Sequence, residues 1–182
     1  MSQTKIAVIV GSIRKDSFNR KLATALARLA PADFQFEQVP IDALPLYNQD
    51  HDATPSAEVT RFKDAIQSAQ GLLFVTPEFN RSMPGVLKNA LDHGSRPYGK
   101  SVWGGKPAGV LGVSVGAIGT ALAQQHLRNV LAYLDVPTLG QPEGFIQAKD
   151  GLFDEAGNIG EGSLKFMQGW VDKYVAWVKK HV

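Results

Sequence analysis

Ser12, Arg14, Ser17 and Asn19 fall within eight positions and follow directly on the apolar run IAVIV at residues 6–10. Their side chains suit the holding of an anion. Gly11 permits a tight exit from the run, and two hydroxyls, a carboxamide and a planar guanidinium fork precede a helix pattern that starts near Ser17. The free backbone N–H groups of that helix start would add further donors. The spacing excludes two phosphate loops: G-x-x-x-x-G-K-[ST] would need Gly at Asp16 and Lys at Ser17, and the dinucleotide fingerprint would need Gly at Ile13 and Asp16. What remains is a cup for one terminal phosphate. The plainer reading, in which Ser17 caps a helix and Arg14 is solvated, would serve for either residue alone and less well for four together.

Two further loops share this character. TPEFNRSMPG starts at residue 76 after GLLFV (71–75), and SVGAIGT starts at 114 after AGVLGV (108–113). All three preceding runs are continuous rather than alternating, as in strands covered on both faces. FQFEQV at 34–39 is a more polar fourth candidate, nearer an edge, and LDVPTLG suggests a short fifth strand beginning around Val136. Helical stripes lie between these runs. Phe18, Leu22, Leu26 and Leu29 form the first, ending before Pro31, and Val59, Phe62, Ile66 and Ala69 the second, with Thr54-Pro55 as cap and first-turn proline. Leu87 and Leu91 follow Pro84 in a third. Ala123, Leu127, Val130, Leu131 and Leu134 mark a fourth. A last stripe carries Phe166, Met167, Trp170, Tyr174, Trp177 and Val178, aromatics suited to core or subunit contact.

This alternation predicts an α/β fold over residues 1–182 as one domain, a doubly wound five-stranded parallel sheet of order 2-1-3-4-5 with helices on both faces. Residues 40–56 and 137–160 are left as long surface loops. In such sheets ligands sit beyond the carboxyl ends of the strands, so the loops after Val10, Val75 and Val113 converge on one ligand.

Composition narrows the field further. Nineteen Lys+Arg against seventeen Asp+Glu give a net charge of +2, and no nucleic-acid partner is expected. The absence of cysteine removes disulfides, thiol nucleophiles, iron–sulfur clusters and Cys-ligated zinc. The first apolar run is too short for a signal or a membrane span, so the expectation is a cytoplasmic protein without a membrane partner. His51, His93 and His126 lack metal-ligand spacing, and DGLFDEAGN at 150–158 lacks the acidic spacing of a calcium loop. No metal is expected.

S-x-R-x-x-S-x-N at 12–19, PEFN at 77–80 followed by S-x-P-G-x-L-K-N-x-x-D at 82–92, SVGAIG at 114–119 and HLRNVLAYLD at 126–135 resemble, in this order, the NAD(P)H-dependent FMN reductases, which include quinone and chromate reductases. The resemblance implies a flavodoxin-like FMN-binding domain in which Ser12, Arg14, Ser17 and Asn19 hold the FMN phosphate. Pro77, Glu78, Phe79 and Asn80 would border the isoalloxazine ring, with Ser114, Val115 and Gly116 closing its other side. It implies a dimer or tetramer with NADPH or NADH as electron donor. The acceptor would be a small molecule: a quinone, chromate, an azo or nitro compound, or free flavin. Reduction would run by hydride transfer through FMN in a ping-pong sequence, with no catalytic side chain required. One departure is visible: the family usually has Tyr at Phe79, so the ring face is kept and a hydroxyl is lost, with any hydrogen bond it makes across a subunit interface to Arg128 and Glu143. For Glu78 a structural carboxylate, bonded to backbone at the start of the next helix, is favoured over a catalytic one.

Two other readings compete. GVSVG at 112–116 fits the serine-hydrolase elbow G-x-S-x-G, with Asp135 or Asp150 and His181 following Ser114 in triad order. An elbow turns directly into its helix, whereas the helical stripe here starts only after Gly119. The second competitor is a flavodoxin-like electron carrier with the same fold and cofactor, although short-chain flavodoxins are typically acidic and this chain is slightly basic.

Overall fold

The computed structural model describes residues 3–182. Five strands, β1 (Thr4–Val10), β2 (Phe34–Gln38), β3 (Gly71–Val75), β4 (Ala108–Ser114) and β5 (Gly144–Gln147), form one sheet of order β2-β1-β3-β4-β5. Every neighbouring pair is parallel. The helices are α1 (Phe18–Leu29), α2 (Ala57–Gln67), α3 (Gly85–Ser95), α4 (Ala121–Tyr133) and α5 (Glu161–His181). The expected flavodoxin-like topology is therefore the observed one.

The continuous apolar runs work as anticipated, because alternate residues serve opposite faces of the sheet. Ile6 and Val8 join Leu22 and Leu26 of α1 and Trp170 and Tyr174 of α5 in one core. Ala7 and Ile9 join Phe62 of α2, Leu87 of α3 and Leu127 of α4 in the other. Tyr174 also donates its hydroxyl to the Leu72 carbonyl at 2.8 Å, so α5 is tied to the sheet by a satisfied polar group as well as by burial.

Three expectations need correcting. The fifth strand is Gly144–Gln147, not a segment starting near Val136. Residues 136–139 do approach the sheet: Ala108 N donates to the Pro137 carbonyl at 2.9 Å, and Leu139 N to the Ala108 carbonyl at 2.8 Å. The chain meets only the first residue of β4 there, turns away through Gly140 and Gln141, and returns to pair with Leu111–Ser114. Residues 137–160 are thus no continuous loop. The second helix is capped by Ser56, whose Oγ accepts from Val59 N at 3.4 Å, and Thr54-Pro55 only leads into it.

Close backbone approach sets the edge from which the loops emerge. Gly11 N donates to the Val75 carbonyl (2.9 Å) and Thr76 N to that of Leu111 (3.1 Å), carrying the ladder one residue past the named strands. Between β3 and β4 the backbones pass so closely that a Cβ on Gly112 would stand 2.0 Å from the Thr76 carbonyl oxygen and 2.3 Å from Thr120 Oγ1. Gly112→Ala should therefore lower the free energy of unfolding by about 1–3 kcal/mol in denaturant titration. Gly85→Ala, at a position with nothing within 4 Å, should not lower it.

Candidate functional site

At the end of β1 the chain turns at buried Gly11 and runs exposed through Ile13–Asp16 into α1. Ser12 Oγ accepts from Arg14 N at 3.4 Å and Ser17 Oγ accepts from Arg20 N at 3.3 Å, so Ser17 is the N-cap foreseen by the plainer reading. Capping one amide does not exhaust the donors. The N–H groups of Phe18 and Asn19 belong to the first turn and have no intrahelical acceptor. Among the described residues no carboxylate lies within ion-pair distance of Arg14.

Asn19 is used in a way that spacing did not suggest. It is 3% exposed, its Nδ2 donates to the Val113 carbonyl at 2.9 Å, and its Oδ1 accepts from Val113 N at 2.9 Å. The carboxamide clips α1 to the far end of β4, which fixes the first loop relative to the third. One Nδ2 hydrogen and the backbone N–H remain for a ligand.

The second loop is a tight hairpin. Phe79 N and the Ser82 carbonyl are 2.9 Å apart, Ser82 N and the Phe79 carbonyl 3.0 Å, and the two residues between them, Asn80 (φ 50°) and Arg81 (φ 66°), are both left-handed. Non-glycine residues in this region are uncommon and concentrate at functional sites. Phe79 at the start of this turn is 58% exposed.

Glu78 is a structural carboxylate, but on a different helix from the one expected. Its side chain is only 8% exposed, and Oε2 accepts from Leu122 N (3.0 Å) and Ala123 N (3.2 Å) in the first turn of α4, not of α3. The reason lies in α4 itself. Its N-cap residue Thr120 is left-handed (φ 70°), makes no side-chain cap and receives Gln124 Nε2 on its hydroxyl at 2.9 Å. The orphan amides of α4 therefore take their acceptor from the neighbouring loop, where a carboxylate is also favoured by the helix dipole. His126 adds a second tie, with Nδ1 2.9 Å from Ser82 Oγ.

In the third loop Ser114 Oγ donates to the Gly116 carbonyl at 3.0 Å, and Gln147 Nε2 at the end of β5 donates to the Val115 carbonyl at 3.2 Å. Val115 is 74% exposed, and above Gly116 nothing stands within 4 Å of a would-be Cβ. All three candidate loops thus lie at one sheet edge, joined by Asn19, Glu78 and His126. The hydrolase reading loses its geometry here. Ser114 ends β4, α4 begins only at Ala121, and His181 sits beside Trp177, whose Nε1 donates to the Pro137 carbonyl at the opposite end of β4.

What the edge leaves unpaired fits a flavin mononucleotide. An uncompensated guanidinium and free first-turn amides suit its phosphate, and the open surface over Gly116 beside Phe79 and Val115 suits a flat apolar ring. Spacing missed Arg20, which donates through Nη2 to the Ser12 carbonyl at 3.5 Å, and Gln124, which is fully buried and donates to the Gly144 carbonyl at 2.9 Å. Arg20 could have been found three residues on from Ser17. Gln124 could not, because its role depends on β5 arriving beside it.

Comparison with known proteins identifies the family. Residues 4–150 match the family model for NADPH-dependent FMN reductase. The chain is 58% identical to a 2-hydroxy-1,4-benzoquinone reductase of Burkholderia sp, covering 96% of each. It is 49% identical to a quinone reductase of Pseudomonas putida over 98% of this chain and 97% of that one. Among solved structures it resembles FerB, a flavoenzyme NAD(P)H:(acceptor) oxidoreductase from Paracoccus denitrificans, with a TM-score of 0.94, 44% identity and 98% of each chain covered.

The clamp makes its own prediction. Glu78→Ala should cost about 1–2 kcal/mol of stability and accelerate hydrogen exchange at the Leu122 and Ala123 amides. Glu78→Gln, which retains an acceptor oxygen, should fall between Glu and Ala. Unaltered exchange at both amides in the Ala variant would show that Glu78 does not hold the helix start.

Proposed function

The chain belongs to the NADPH-dependent FMN reductase family, and on that premise we propose how its own residues serve the reaction. It is an oxidoreductase of the quinone reductase kind that uses FMN with NAD(P)H. When bound, FMN supplies the hydride-accepting and hydride-donating chemistry, so the protein needs no acid–base pair of its own.

In this reading Arg14, Ser12, Ser17 and the first-turn amides of α1 hold the phosphate, and the buried Asn19 keeps them in register with β4. Pro77, Phe79 and Asn80 border one side of the ring and Ser114, Val115 and Gly116 the other. Glu78 contributes backbone at the ring and a carboxylate that orients the loop. The observation that carries the reading is an Arg14 without an ion-pair partner among the described residues, at the free helix-start amides of α1, on the same sheet edge as the open space over Gly116.

Donor and acceptor share the single open face of this patch and must occupy it in turn. Phe79 on the second loop and Val115 on the third are exposed apolar side chains, and an open site of this kind suits quinones and, more widely, chromate, azo or nitro compounds and free flavin. The same exposed apolar side chains support self-association as a dimer or tetramer in which a second copy covers part of them. Residues 1–182 act as one FMN-binding unit, and the proposed setting is the cytoplasm, where NAD(P)H is at hand.

Two measurements test these roles. Arg14→Ala should weaken FMN binding about ten- to a hundredfold in fluorescence-quenching titrations of the apoprotein while riboflavin affinity stays the same, because the lost contact is a charge-assisted one to phosphate. Equal weakening of both flavins would move Arg14 out of the cup. Initial rates at varied NAD(P)H and quinone should give parallel lines, as a shared face requires. Intersecting lines would mean that both substrates bind together.

A further inference from the structure

Part of the stretch between β2 and α2 closes one side of a cavity that shares no residue with the three loops of the flavin edge. Its volume is about 320 Å³, the size of a small-molecule site. The rest of its wall comes from the first two turns of α2, through Val59 and Lys63, and from the end of α3, through His93, Arg96 and Pro97. The stretch is held in place from α3. Asn89 accepts from Tyr47 N and donates to the Pro45 carbonyl, both at 2.8 Å, and His93 Nε2 stands 2.8 Å from that same carbonyl. The wall is therefore formed before any ligand arrives.

The polar groups of the cavity are unequally spent. Asp52 Oδ2 lies 3.5 Å from Arg96 Nε and accepts from the Tyr47 hydroxyl at 3.4 Å, and Arg96 Nε donates to that hydroxyl at 2.9 Å. One carboxylate is thus matched to one guanidinium, whose two Nη groups make no hydrogen bond among the described residues. Lys63 Nζ gives one hydrogen to the Arg96 carbonyl and keeps two, and among the described residues no carboxylate lies within ion-pair distance of it. Burial holds this ammonium below the usual lysine range, with Asp52 offsetting the effect and Lys100 adding to it. One positive charge is left over. His51 and His93 also line the cavity, but among the described residues no group of three ligating side chains gathers to hold a metal. The remaining wall is apolar and, through Pro45, Pro55, Pro97 and the Tyr47 ring, flat and rigid; Leu46 beside them is 86% exposed.

We propose that this cavity is a second ligand site, which takes a flat aromatic monocarboxylate: its carboxylate meets Lys63 and the Nη groups of Arg96, and its ring lies against Leu46, Pro55 and Pro97. Charge selects the class. A phosphate dianion would bring one charge more than the cavity offsets and set it against Asp52, and an uncharged ring would leave the partly buried ammonium unpaired. The site stands apart from the flavin reading, because none of its residues belongs to the loops at 11–20, 76–82 or 114–123.

Calorimetric titration of the FMN-loaded protein with 2-naphthoate and with its uncharged counterpart 2-naphthamide tests this. The acid should bind about ten- to a hundredfold more tightly than the amide. Lys63→Gln should remove that preference and Lys63→Arg should keep it, while Leu46→Glu, a change at an exposed position, should weaken the acid with the packing intact. Hydrogen exchange under saturating 2-naphthoate should slow at residues 45–63 and 93–97, and the flavin absorption spectrum should not move. Equal affinity for acid and amide, or a preference that survives Lys63→Gln, would overturn the proposal. So would a shifted flavin spectrum with protection at 76–82 and 114–123, which would put the ligand on the ring, and so would an absence of binding. A protein that never takes up FMN would remove the flavin reading alone, and the same titration on that protein would still decide this one.

Discussion

The Glu78 carboxylate, buried against the first-turn amides of α4, is the contact on which the ligand-facing edge of the sheet depends. A helix start with no cap of its own leaves donors that burial would make costly. Here the left-handed Thr120 withholds its hydroxyl from the helix, and the acceptor arrives from the loop after β3. One charge therefore satisfies a helix terminus and couples two loops that are separate in sequence. Asn19 does the same between α1 and β4 with a neutral carboxamide. Three loops that would otherwise move independently thus share a few buried polar contacts. Such preorganisation is what a site for a flat cofactor requires, because binding then need not order the loops.

Electrostatically the edge is divided. At the α4 end the negative charge of Glu78 is spent on backbone amides and on Arg81. At the α1 end the helix start meets unpaired cations, so an anion is attracted there and a neutral ring is left for the middle. Such a gradient would orient a ligand that is anionic at one end and carries a ring at the other. Openness also fits a chemistry in which successive partners must reach one face.

The fold was largely legible because both faces of β1, β3 and β4 are buried, which turns a parallel strand into an unbroken aliphatic run. β5 was misplaced because Val136–Leu139 has the same local character and does touch β4, whereas Gly144–Gln147 becomes a strand only by pairing with Leu111–Ser114. The residue types proposed for the cup were readable from spacing along one loop. The partner of Asn19 and the helix that the structural carboxylate Glu78 serves were not, since each comes from a distant segment, the Val113 backbone in one case and the Leu122 and Ala123 amides in the other. Arg20, three residues on from Ser17, lay within reach of the helical periodicity of α1, but its bond to the Ser12 carbonyl depends on how the loop after β1 turns.

The central claim is that these three loops make one flavin site. Hydrogen exchange of the apoprotein with and without saturating FMN tests it most directly, because it locates the ligand without assuming a residue. The account predicts concerted slowing at residues 11–20, 76–82 and 114–123, with the opposite sheet edge unchanged. Protection confined to one of the loops, or appearing elsewhere on the chain, would contradict it.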